Sequence, residues 1–168
     1  PSASRALFDA LPVRRPYPHR SGGWSKHGLV LPELDLEDSV SLGEGNSFLF
    51  RAERYGADLG LERLWIKHCG TSHTGSFKDL GMTVLVSTVN HMRRRGAPIR
   101  PVHCASTRDP SAALAPYGAA AGIPVVVLLP RGKISAAQLV QPLAKGPLVG
   151  ALEADFDGCM RAVRALTE

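Results

Sequence analysis

Aromatic side chains make up only 6% of the 168 residues and are not interleaved with the basic ones. The formal charge of +5 therefore points weakly to nucleic acid, because such surfaces combine clustered cations with stacking rings. The basic excess is dispersed through Arg14-Arg15, the stretch His91 to Arg95, and single lysines. No apolar run is long enough to span a bilayer. Cysteine is scarce too. Cys69, Cys104 and Cys159 form an odd set without metal-like or redox spacing, which argues against a disulfide framework and for a reducing compartment. The six histidines are scattered. His68-Cys69 and His103-Cys104 are adjacent pairs, but neighbours on a strand face opposite ways, so metal binding is not expected. Residues 1–20 carry neither an initiating Met nor the apolar core of a secretory signal, and they read as an irregular extension of a processed or partial product.

Hydrophobic residues are 44% of the chain, enough for a real core in one domain or a domain with an extension. Up to about Ser41 the sequence is rich in Pro and Gly and weakly periodic, suggesting an arm that wraps a larger body. Regular patterns follow. Leu64 to Ile66 reads as a short strand and Gly75 to Arg95 as a helix, closed by Gly96 with cations in its last turn. Val102–Ala105, Pro124–Leu129 and Leu148–Ala151 read as strands; Ser111–Ala121, Ser135–Ala144 and Asp155–Leu166 read as helices. Short apolar strands separated by helices imply an α/β fold with an open parallel sheet and helices on both faces.

In such a sheet, ligands sit at the carboxyl ends of the strands, in the turns that lead into helices. Two turns carry suitable chemistry. His73-Thr74-Gly75-Ser76-Phe77-Lys78-Asp79 places one lysine after an apolar run, where Gly75 permits a turn and Thr74 and Ser76 offer hydroxyls and N–H groups. A lysine that can present an uncharged amine forms Schiff bases with aldehydes, although a lysine in a first helical turn is more commonly a solvated surface residue. The second turn, Ser106-Thr107-Arg108-Asp109-Pro110, could bind a carboxylate or phosphate through hydroxyls and N–H groups, or simply cap the following helix.

The segment from Lys67 to Met82 resembles the pyridoxal-phosphate attachment site of threonine synthases, the plant-type form in particular. The likeness extends to Trp24-Ser25-Lys26, Val30 to Glu33, Glu44-Gly45-Asn46-Ser47, Lys133-Ile134-Ser135, Gln138 to Pro142 and Asp155 to Met160. It implies a fold type II enzyme, similar to the tryptophan synthase β chain, of which this sequence is the N-terminal part. Residues 1–45 would form the arm and 46–168 the start of the catalytic region, with 97–168 as most of the small mobile domain. The implied cofactor is pyridoxal 5'-phosphate and the implied reaction converts O-phospho-L-homoserine and water to L-threonine and phosphate. By resemblance, Lys78 is the catalytic residue that holds the cofactor, with Phe77 and Asp109 against its ring. Ser72, Thr74, Ser76, Ser106 and Thr107 are the candidates for binding substrate carboxylate or phosphate.

The resemblance further implies a homodimer, allosteric S-adenosylmethionine, and a plastid location if the source is a plant or a cytoplasmic one otherwise. The chain departs from the family pattern at Arg108, where the family has Gly, at Pro110, where it has Thr, and at Pro116, where it has a small residue. No Gly-rich phosphate-binding loop follows Lys78, and Gly22-Gly23 is too short to form one, so the isolated chain is expected to be inactive. Two further readings remain open: a non-catalytic paralogue that associates with a full-length subunit, and another fold type II enzyme such as a threonine dehydratase.

Overall fold

The computed structural model describes residues 2–10, 21–99, 101–106, 109–132, 140, 144 and 146–167. The centre is a parallel sheet in the order β3-β4-β5, formed by β3 (Val102–Ala105), β4 (Val125–Pro130) and β5 (Leu148–Leu152). Side chains alternate across β4, so its two faces serve different layers. Val125, Val127 and Leu129 point into a core with Val86, Leu114, Tyr117 and Ile123, which brings in α4 (Asp79–Arg94) and α5 (Asp109–Ala121). Leu128 points the other way, to Cys159, Met160 and Val163 of α6 (Phe156–Thr167). Each large apolar side chain buried in this way contributes about 1.5–3 kcal/mol relative to exposure. The result is the expected layering, with helices on both faces of a parallel sheet.

The strand expected over Leu64–Ile66 appears as β2 (Trp65–His68), but outside that sheet. It pairs antiparallel with β1 (Phe48–Arg51), in a register running from Phe48 opposite His68 to Arg51 opposite Trp65. β1 has no counterpart among the sequence expectations. The short helix α3 (Glu53–Asp58) separates the two strands, and pairing across such a connection leaves no local trace. Other bounds move by only a few residues. The helix expected over Ser135–Ala144 falls largely outside the described residues.

The extension expected to be irregular contains a helix over Ser2–Ala10, and the described part of the arm lies against α4. Beyond α1 (Ser2–Ala10) and the turn of α2 (His27–Val30), it runs along that helix. The Val40 amide donates to Ser87 Oγ at 2.7 Å, and Asn90 Nδ2 donates to the Asp38 carbonyl at 3.0 Å. Helix α4 ends as expected at Gly96, whose φ of 87° lets its own N–H reach Arg93 O and that of Ala97 reach Met92 O, each at 3.0 Å. The arginines in the last turn do more than offset the dipole. Arg93 donates to the carbonyls of Ala121 and Gly122, Arg94 pairs with Asp38 at 2.5 Å, and Arg95 reaches Asp35 at 3.3 Å.

His91 completes this clasp, with Nδ1 at 2.6 Å from Asp38 Oδ2 and 3.8 Å from Asp35 Oδ2. Asp35, Asp38 and His91 thus bring potential metal-ligand atoms within 4.8 Å of one another, but both carboxylates already have guanidinium partners. Burial alone would raise the Asp38 carboxyl; the His91 hydrogen bond and the Arg94 guanidinium outweigh it and hold the group below its ordinary value of 3.8. Its contribution to stability is therefore complete above that value and is lost as the pH falls through the lower folded value. Thermal unfolding from pH 6 to 2.5 should show a shallower acid decline for Asp38→Asn than for the wild type, from a lower starting stability. Parallel acid limbs would mean that the clasp contributes nothing.

Candidate active site

Lys78 lies at the lip of α4, in the turn that follows a Gly75 held at φ 76°. The helix starts at Asp79 rather than at Gly75 as expected, because that glycine and the Asp79 side chain fix residues 74–78 as a turn. Asp79 is fully buried, and it accepts the Thr74 amide at 2.9 Å and the Thr74 hydroxyl through its second oxygen. A buried carboxylate needs such donors to offset its lost hydration. Ser76 Oγ accepts the Lys78 amide at 3.2 Å, so two side chains shape the backbone on either side of the lysine.

The Lys78 side chain is half-buried, with Nζ 4.7 Å from the centroid of the Phe77 ring. It makes no hydrogen bond or ion pair among the described residues. Phe77 is 57% exposed and presents a free aromatic face beside the amine. The other lysines with described contacts differ: Lys67 Nζ donates to the Ser47 carbonyl at 2.7 Å, and Lys26 Nζ to the Phe8 carbonyl at 2.5 Å.

The remaining candidates divide between local structure and open surface. Ser72 Oγ donates to the Cys69 carbonyl at 2.9 Å, and the Thr74 hydroxyl proton is directed at Asp79, so both shape the lysine turn. Ser106 is buried at the end of β3, where its Oγ accepts the Ser111 amide at 3.3 Å, a capping contact at the start of α5. Asp109 is exposed at the first position of that helix. Thr107 and Arg108 lie outside the described residues. Helix α5 runs through Pro116, which is buried, despite the roughly 3 kcal/mol that an interior proline costs.

The two turns share one edge of the sheet. Arg93, near the end of α4, donates to carbonyls at the end of α5, so the two helices run side by side in the same direction. Helix α5 starts from the carboxyl end of β3, and the start of α4 with Lys78 therefore lies toward that same edge. Sequence reasoning did not single out Asp79 as the residue that fixes the turn around Lys78. The signal available was a carboxyl at the first helical position with a hydroxyl residue five places before it.

Among the described residues the Lys78 amine has only the Phe77 ring beside it, an arrangement that suits carbonyl binding at the carboxyl edge of a parallel sheet. Residues 40–168 match the family model described as pyridoxal-phosphate dependent enzyme, and the chain belongs to that family. It is 57% identical over 164 residues to threonine synthase 2, chloroplastic, of Arabidopsis thaliana, covering 97% of this chain and 32% of that relative. It is 43% identical over 141 residues to the threonine synthase of Methanosarcina acetivorans, covering 84% of this chain and 33% of the relative. The chain thus spans about a third of the length of these curated relatives.

Solved structures agree on the fold. An Escherichia coli diaminopropionate ammonia lyase superposes with a TM-score of 0.65 at 13% identity, over 75% of this chain and 35% of the lyase. A threonine deaminase from Solanum lycopersicum does so with a TM-score of 0.56 at 20% identity, over 72% of this chain and 32% of that one. Family membership implies pyridoxal 5'-phosphate as the cofactor, and the residues present fit it. Lys78 offers an amine with no competing partner among the described residues, and Phe77 an open ring face.

Asp79→Asn should cost about 1–3 kcal/mol, because one of the two Thr74 donors then faces an amide N–H instead of an oxygen. Chemical denaturation measures the loss, and amide exchange at Thr74 should accelerate with it. Unchanged exchange at Thr74 would show that Asp79 does not hold the turn.

Proposed function

We propose that this chain supplies the lysine-bearing portion of a threonine synthase, which converts O-phospho-L-homoserine and water to L-threonine and phosphate. The observation that carries the proposal is the unpaired Lys78 amine in a turn built by Thr74, Ser76 and Asp79, within a segment so similar to threonine synthases. The homodimer and S-adenosylmethionine as an effector rest on the plant-type resemblance. The plastid location rests also on the chloroplastic relative.

When bound, pyridoxal phosphate supplies an electron sink for charge developing at the substrate's α carbon. Lys78 would hold the cofactor through its amine, and that amine would accept and return protons along the substrate carbons. The half-buried setting shields that amine from bulk water. Phe77 bounds the ring site on one side. Ser76 and Thr74 keep the lysine backbone fixed, and the Ser76 hydroxyl, whose oxygen accepts the Lys78 amide, keeps its own proton to donate to an anionic substrate group. Ser106 and Asp109 form the facing turn, with Ser106 as its anchor and Asp109 as the group open to ligand.

Activity in this proposal requires further polypeptide of the kind the longer relatives carry. Both faces of the β1–β2 pair are open, with Phe48 68% and Trp65 55% exposed, and apolar area of this kind is ordinarily covered.

The test uses the full-length protein loaded with pyridoxal phosphate. Phosphohomoserine should yield phosphate and threonine in equal amounts, and Lys78→Ala should lower turnover by at least about 10³-fold. Ammonia release from threonine or serine, with phosphohomoserine untouched, would replace the assignment by a dehydratase.

A further inference from the structure

Glu44 is fully buried, yet no ion pair neutralises it among the described residues. Its carboxylate is instead ringed by donors from separate parts of the chain. Oε1 accepts from Ser21 Oγ at 3.0 Å and Ser41 Oγ at 2.9 Å, with Thr83 Oγ1 at 3.1 Å. Oε2 accepts from the Leu42 amide at 2.9 Å and the Tyr117 hydroxyl at 2.7 Å. Thr83 is itself held, receiving the Trp24 indole N–H at 2.7 Å and lying 2.7 Å from the Val40 carbonyl. The loop is pressed close against the arm: a methyl group on Gly22 would come within 2.2 Å of the Asn46 nitrogen.

The two hydroxyls contributed by helices decide what this arrangement does. Thr83 belongs to α4, five residues after Lys78, and Tyr117 belongs to α5, eight residues after Asp109. Those helices run in the same direction, and their starts carry the two candidate turns. We propose that Glu44 is a positioning residue whose buried carboxylate sets the spacing between the Lys78 turn and the Ser106 turn. It touches neither ligand nor reacting atoms; it fixes where α4 and α5 place them. The part of this inference that concerns catalysis rests on the proposed threonine synthase activity, while the coupling of the two helices does not.

Direct replacement of Glu44 would strand several buried donors and risk unfolding, so the test removes single links instead. In the full-length protein, Tyr117→Phe cuts the bond to α5 while keeping the ring in the core. Thr83→Val cuts the bond to α4, and Thr83→Ser restores the hydroxyl. Leu128→Ala, at a buried apolar position on the opposite face of β4 against α6, serves as a destabilised control. Amide exchange is read at Thr74 and Ser111, which report the two turns, together with kcat and KM. Tyr117→Phe and Thr83→Val should each accelerate exchange in both turns by at least about fivefold beyond the change in global stability, and lower kcat more than they change KM. Thr83→Ser should recover both. Exchange that merely follows global stability, as in Leu128→Ala, would overturn the proposal. If the wild type neither takes up pyridoxal phosphate nor turns over phosphohomoserine, the functional assignment fails, and the exchange comparison alone still decides whether Glu44 couples the turns.

Discussion

Everything on the arm side of the sheet is organised around one buried carboxylate. Taking Glu44 out of water costs several kcal/mol unless its lone pairs are satisfied, and the donors that satisfy it come from Ser21, Ser41, Leu42 and Tyr117, with the Thr83 hydroxyl dividing its one proton between Glu44 and the Val40 carbonyl. Those residues lie on the arm, on the loop before β1, on α4 and on α5. The requirement for donors thus ties four segments together, and the apolar contacts of Val86, Leu114 and Tyr117 complete the junction. A hydrophobic core of small branched residues leaves many packing angles nearly equal in energy; a set of directed hydrogen bonds to one carboxylate selects among them.

Local pattern was sufficient wherever the chemistry is local. Val102–Ala105 is bounded by Pro101 and Ser106 and emerged as a strand with the bounds expected. Asp155 caps α6 by accepting the Gly158 amide at 2.8 Å, and Gly96 closes α4, both being contacts among near neighbours. The turn that carries Lys78 was legible because Gly75 and its hydroxyl neighbours between strand and helix are themselves a local signal, reinforced by a long family motif.

Long-range pairing was not legible. Phe48–Arg51 reads locally as an apolar stretch with an arginine, and only its partner β2 makes it a strand. The Glu44 bonds to Thr83 and Tyr117 span 39 and 73 residues, so no periodicity could reveal them. The arginines after His91 read as dipole compensation, yet their partners are Asp35 and Asp38 in the arm and carbonyls after α5. Thr74 and Ser72 read as ligand groups, whereas the structure directs their hydroxyl protons to Asp79 and the Cys69 carbonyl. Short polar side chains beside a turn serve the turn's own backbone first, because buried N–H and carbonyl groups must be satisfied before any ligand arrives.

Among the described lysines, the amines differ in their hydrogen bonding. Lys67 donates to the Ser47 carbonyl and Lys26 to the Phe8 carbonyl, while the Lys78 amine has only the Phe77 ring beside it. The most direct measurement is to incubate the full-length protein with pyridoxal phosphate, reduce with borohydride, digest, and locate the pyridoxyl group by mass. The account predicts labelling on Lys78 alone within this segment. A label on Lys26, Lys67 or another lysine of the segment, or none on Lys78, would contradict it.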